Sequence, residues 1–186
     1  VYTSVTIDQS EYARDNGNPT QAIGVGAGST CVIGSSFDIT MNARMDSVLV
    51  FFNAPVADVG KEVQFKISPI VGTTPSLTYI GQSAPYILTA GDVGGAILVL
   101  PVTAIGGGAL ELAPGDYFVG FAKNTAAGGN YGLQCAASIF TNGTVFGSIN
   151  GGAYSPLNSL LAGFNYTPVL RPYINPICEM EATATA

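Results

Sequence analysis

Short apolar or alternating runs recur along the chain, separated by Gly, Pro, Asn and Asp. Runs at roughly 8–12-residue spacing with turn residues between them predict an all-β domain. In residues 1–7, Val1, Thr3, Val5 and Ile7 alternate with Tyr2, Ser4 and Thr6, an extended segment with two usable faces. Residues 31–33 and 37–41 make the next runs. At 48–52 (VLVFF) both faces are apolar, which predicts a central strand covered on both sides. Val63, Phe65 and Ile67 instead alternate with Glu62, Gln64 and Lys66, so that strand buries one face and wets the other. Further strands are expected at 77–80, 86–89, 97–102, 117–122, 131–136, 144–149 and 164–170. Only 156–162 reads as helix, of about two turns at most. Ala113-Pro114-Gly115-Asp116 is a turn before 117: Pro presets φ and Gly accepts positive φ.

This pattern predicts one two-sheet β-sandwich of jelly-roll type, with an Ig-like sandwich as second choice. Residues 1–178 form the domain, opened by an N-terminal strand at 1–8, and 179–186 form a tail or linker. Val48, Val50, Phe52, Phe65, Val119 and Phe121 are expected in the core.

Charge changes the picture of the surface. Charged residues make up 10% of the 186, with six basic and twelve acidic side chains and a net charge of -6. An ordinary domain carries about 25%. Mean hydropathy is positive (+0.38), yet no run approaches the ~18 apolar residues of a membrane helix. The apolar excess is therefore expected in a sandwich core and in surfaces covered by partners. No basic cluster points to nucleic acid.

Chemistry is sparse. With no His, Ser-His-Asp and Cys-His constellations are excluded. The acids are scattered and mostly adjoin turns, so no carboxylate pair stands out and the chain is expected not to be an enzyme. Gly24-Val25-Gly26-Ala27-Gly28 does not complete a nucleotide-binding motif. Asp8, Glu11, Asp15, Asn16 and Asn18 crowd oxygen ligands into one stretch, making them calcium candidates off the EF-hand spacing; the alternative is a solvated turn. Cys31, Cys135 and Cys178 lie far apart, and the expected bridge joins Cys31 to Cys135, leaving Cys178 out. Tyr154, Phe164, Tyr166 and Tyr173 cluster late in the chain, where a sugar-stacking platform competes with a core or interface reading; no Trp is present.

Three stretches carry a family likeness: DSVLVFFNAPVADVGKEVQFKI (46–67), LAPGDYFVGFAKN (112–124) and FTNGTVFGSINGGAYSPLNSLLAGFNYTPVLRPYI (140–174). Residues 11–39, with YARDNG near their start and a Gly-rich turn, fit as well. The chain resembles the β-sandwich domain found just before the C-terminal sorting domain in large secreted proteins of Bacteroidota exported by the type IX system. The resemblance implies a secreted β-sandwich and supplies no catalytic residue.

Two functions are expected from these features. The first is a self-assembling structural subunit of an extracellular filament or surface layer, joined to its own copies by β-strand addition through Val1, Thr3, Val5 and Ile7. Neutral apolar surface suits subunits that cover one another. The alternative is an adhesion or carbohydrate-binding module of a larger secreted protein, with surface polysaccharide as its partner.

Overall fold

The computed structural model describes residues 10–124, 131–137 and 140–177. The expected assembly strand (Val1, Thr3, Val5, Ile7), the calcium candidate Asp8 and Cys178 lie outside the described residues.

Antiparallel strands dominate, as the spacing predicts. The first five are β1 (Ser10–Glu11), β2 (Gln21–Gly24), β3 (Cys31–Ile39), β4 (Ala43–Asn53) and β5 (Glu62–Val71). Next come β6 (Thr74–Pro75), β7 (Gly81–Ser83), β8 (Tyr86–Ile87), β9 (Ile97–Ala104) and β10 (Leu110–Leu112). The last are β11 (Gly115–Lys123), β12 (Gly132–Ala136), β13 (Val145–Ile149), β14 (Ser155–Pro156), β15 (Thr167–Pro168) and β16 (Leu170–Pro176). The one helix, α1 (Leu157–Leu160), is a single turn.

The main path of hydrogen-bonded neighbours runs β1-β16-β4-β9-β7-β5-β11-β3-β13-β14. Because β7 pairs with both β5 and β9, the two halves belong to one continuous sheet. The sheet curls over until β4 and β11 face each other, with Phe52 and Phe121 ring centroids 5.4 Å apart. The all-β reading holds, and the shape is a half-barrel rather than two separate sheets.

Six residues expected in the core are there: Val48, Val50, Phe52, Phe65 and Val119 have no exposure and Phe121 has 2%. Phe65 meets Phe121 edge-on at 6.3 Å, an aromatic pairing geometry that adds to plain area burial. Tyr117 donates its hydroxyl to the Ala113 carbonyl at 2.9 Å, closing the turn expected there.

Several expectations shift. Residues 31–39 form one strand, because Ser35 and Ser36 continue the extended chain between the two apolar runs. Residues 77–80 form no strand but bulge off β5 between β6 and β7, with Ser76 and Ile80 still donating to the Pro69 and Ile67 carbonyls. On β4, Leu49 and Phe51 are half-exposed, so the strand is covered on one side and partly open on the other. Residues 164–170 split, leaving β15 on β12 and β16 on β4.

Candidate functional site

The half of the sheet built from β5, β11, β3 and β13 is bounded on both faces. On the inner face Val119 and Phe121 meet the main core. On the outer face Phe118, Phe146 and Tyr154 form a second buried cluster, with Val32 and Ile70 against it. Phe118 meets Tyr154 at 4.8 Å and Phe146 at 6.3 Å. Glycines beside this cluster keep the strands close. A Cβ on Gly34 would stand 2.0 Å from the Val119 carbonyl oxygen, and one on Gly120 would strike the Phe118 ring.

Tyr79 caps the cluster. Its hydroxyl lies 3.2 Å from that of Tyr154, and Lys66 Nζ sits 5.4 Å from its ring centroid. Lys66 is itself tethered to Gln82 Oε1 at 2.8 Å. Burial lowers the Lys66 ammonium from its usual value, and Glu62 acts the other way. Burial also raises the Tyr154 phenol, assisted by its hydrogen bond with Tyr79. The Tyr79 ring is thus held in place before any ligand arrives.

A groove of about 310 Å³ opens beside Tyr79, lined also by Thr30, Val32, Leu77, Asn124 and Ser148. Its polar groups are fixed from behind. Thr30 and Asn150 are tied twice: the Thr30 amide donates to Asn150 Oδ1, and the Asn150 amide donates to the Thr30 carbonyl, each at 3.0 Å. Asn150 takes a positive φ of 52° to do this. Asn124 Nδ2 donates to Glu62 Oε1 and Gln64 Oε1, which leaves Oδ1 as the acceptor of its amide. Ser148 Oγ donates to the Gly152 carbonyl at 2.6 Å and keeps acceptor capacity. Lys123 also borders the groove, but its Nζ reaches the Val25 and Gly26 carbonyls at 3.2 and 2.9 Å. An aromatic ring, an apolar strip and fixed hydroxyl and amide groups form a surface suited to a polyhydroxylated ligand.

A second groove of about 550 Å³ lies on the far side of the Phe118–Phe146–Tyr154 cluster, with Ser36, Ile70, Thr74, Arg14 and Asp116 on its walls.

The sequence candidates are placed otherwise. Cys31 and Cys135 are both free thiols, so the expected bridge is not formed. Cys31 stands opposite Lys123 and Ile149 on β3, while Cys135 stands opposite Gln21 and Pro168 on β12, each locked in its own ladder. Burial pushes the Cys135 thiol up to about 12 and raises Cys31 against the pull of Lys123.

Of the calcium candidates, Glu11 and Asp15 are committed to Arg171. Its Nη2 and Nε grip the two Asp15 oxygens at 2.6 and 3.1 Å, and its Nη1 bonds Glu11. Asp15 and Asn16 also cap the backbone amides of Gly17 and Asn18. An arginine fork occupies the lone pairs that a metal ion would use. Among the described residues no group of three potential metal ligands comes together.

The late aromatics disperse too. Tyr154 joins the outer cluster, Phe164 and Tyr166 pair at 5.4 Å against the main core, and Tyr173 donates to Glu11 on another face. Tyr79 was missed because residues 77–80 read as a strand. The flanking Pro75-Ser76 and Gly81 were the signal of an interrupted strand that bulges out between two short paired pieces.

No protein-family profile matches the chain, and no curated protein matches it by sequence. Solved structures do. The chain is similar to the cysteine protease Cwp84 after propeptide cleavage, a clostridial protein, with a TM-score of 0.70 and 13% identity over 94% of this chain and 42% of that one. It is also similar to a structure of the cysteine protease and lectin-like domains of Cwp84, a surface layer associated protein of Clostridium difficile. There the TM-score is 0.65 and the identity 15%, over 94% of this chain and 37% of the other. The match falls on the lectin-like part. The chain therefore spans less than half the length of either neighbour, and what they share is the fold.

Proposed function

We propose that this chain is a non-catalytic, surface-associated binding domain of an exported protein, and that it holds a glycan in the groove beside Tyr79. The observation that carries the reading is the groove itself: a pre-positioned tyrosine ring beside Thr30, Asn124 and Ser148, whose backs are already hydrogen-bonded. Leu77 and Val32 add an apolar strip that suits the methyl of an acetamido sugar. The fold shared with a lectin-like domain supports this reading, as does the resemblance to the type IX cargo domain. Binding of chito-oligosaccharides by titration calorimetry tests it. Tyr79→Ala is expected to weaken binding at least tenfold, a loss of about 1.4 kcal/mol, with the unfolding temperature kept within a few degrees. Equal affinity in the variant contradicts the reading.

A second reading, self-assembly into a filament or layer, is favoured by one observation. On the outer face of the other half of the sheet, Ile97 and Val99 are 58% and 48% exposed, opposite half-exposed Phe51 and Leu49 on β4. Such a stripe suits cover by a neighbouring copy, with strand addition through the N-terminal residues as the linking device. Sedimentation velocity across a concentration series tests it: an Ile97→Thr, Val99→Thr variant is expected to lose any large species that the parent forms. A parent chain that stays monomeric throughout rejects it.

A further inference from the structure

The two grooves open on the same face of one sheet. On β3, Val32 lines the first and Ser36 the second; on β13, Ser148 lines the first and Phe146 the second. Val32 and Ser36 are four residue steps apart along the extended chain, about 13 Å at 3.3 Å per step. That separation exceeds one sugar ring and runs along the strand direction. Between the grooves stands the buried Phe118–Phe146–Tyr154 cluster, with Tyr154 tied to Tyr79, so the ground separating them is packed and fixed.

Charge narrows the ligand. The first groove presents no free formal charge, because Lys123 is turned to backbone carbonyls. The second has Arg14 and Asp116 on its walls, with the Arg14 guanidinium over the Phe37 ring, and Asp38 stands directly across the ladder from Asp116. Two carboxylates beside one guanidinium repel a polyanion.

Resting on the glycan reading above, we infer that the ligand is a linear, uncharged oligosaccharide that passes over this cluster, parallel to β3, and occupies both grooves at once. The groove beside Arg14 and Asp116 is a second subsite. Joining two weak subsites on one rigid ligand makes the second contact intramolecular, so affinity climbs steeply once the ligand is long enough to bridge them.

Titration calorimetry with chito-oligosaccharides of two, four and six residues tests this, using the full chain. Affinity is expected to rise at least tenfold from two residues to six. In an Arg14→Ala, Asp116→Ala variant the ratio of six-residue to two-residue affinity is expected to collapse toward one. Both substitutions are at the protein surface, and the variant's circular dichroism spectrum confirms that it folds. Equal affinity at all lengths, or a length ratio untouched by the variant, overturns the two-groove inference while leaving the first groove standing. Failure of the parent to bind at any length overturns the glycan reading and this inference with it.

Discussion

Gly34 fixes the distance between β3 and β11, since any Cβ there meets the Val119 carbonyl. Gly34→Ala is therefore expected to cost about 1–3 kcal/mol, the range for forcing atoms into a packed site, read as a lower urea midpoint with unchanged slope. The two thiols make a different residue-scale prediction. Both are buried and raised in pKa, and the thiolate is the reactive form. Native protein at pH 8 is expected to leave Cys31 and Cys135 unalkylated by iodoacetamide, and urea should expose both. A disulfide-linked Cys31–Cys135 peptide under non-reducing mapping contradicts the structure. In the sequence, both cysteines sit in apolar runs, which told of their burial. Their partners were set by long-range strand register, which no local pattern encodes.

Among the elements, the short 3-10 turn at Ala90–Asp92 shows how side chains stop a strand and restart the chain. Thr89 and Asp92 form a reciprocal capping box, and Asp92 Oδ2 accepts from the Thr89 amide and hydroxyl and from Tyr86. Burial alone would raise the Asp92 carboxyl, yet those hydrogen bonds outweigh it and hold it below its ordinary 3.8. A carboxyl depressed on folding contributes stability above its unfolded value and loses it as pH falls through the folded one. The unfolding temperature should then drop below about pH 4, and Asp92→Asn should flatten that acid limb. Parallel slopes in the two proteins from pH 6 to 2 would contradict this. Thr89→Ala, which breaks the same box, is expected to cost about 0.5–2 kcal/mol. Strand existence was legible where alternation was strict, as in 63–67, and where a continuous apolar run lay between turn residues, as in 97–102. Legibility failed where a segment bulges off its neighbour: Leu77 and Tyr79 alternate like strand residues, but they leave the ladder between Ser76 and Ile80, which still bond Pro69 and Ile67 of β5.

At the scale of the whole molecule, curling brings distant segments together. Thr30, Tyr79, Asn124 and Ser148 come from four separate parts of the chain and meet only because β3, β11 and β13 are adjacent and 76–80 bulges off β5 beside them. The core was readable from period-two patterning, since inward positions are apolar whatever their partner. A groove made of single Thr, Asn and Ser residues carries no such period, so the sequence could not mark it. Low charge was visible at once, and the half-exposed Leu49 and Phe51 beside Ile97 and Val99 give part of it a location. The most direct test is a two-dimensional ¹⁵N–¹H spectrum of the labelled chain titrated with chitotetraose. The amide signals of Thr30, Val32, Tyr79, Asn124 and Ser148 are expected to move together in a saturable way, while those of Ile97 and Val99 stay still. No shift at these five amides, or shifts confined to β9, would show that this groove is not where the protein holds its ligand.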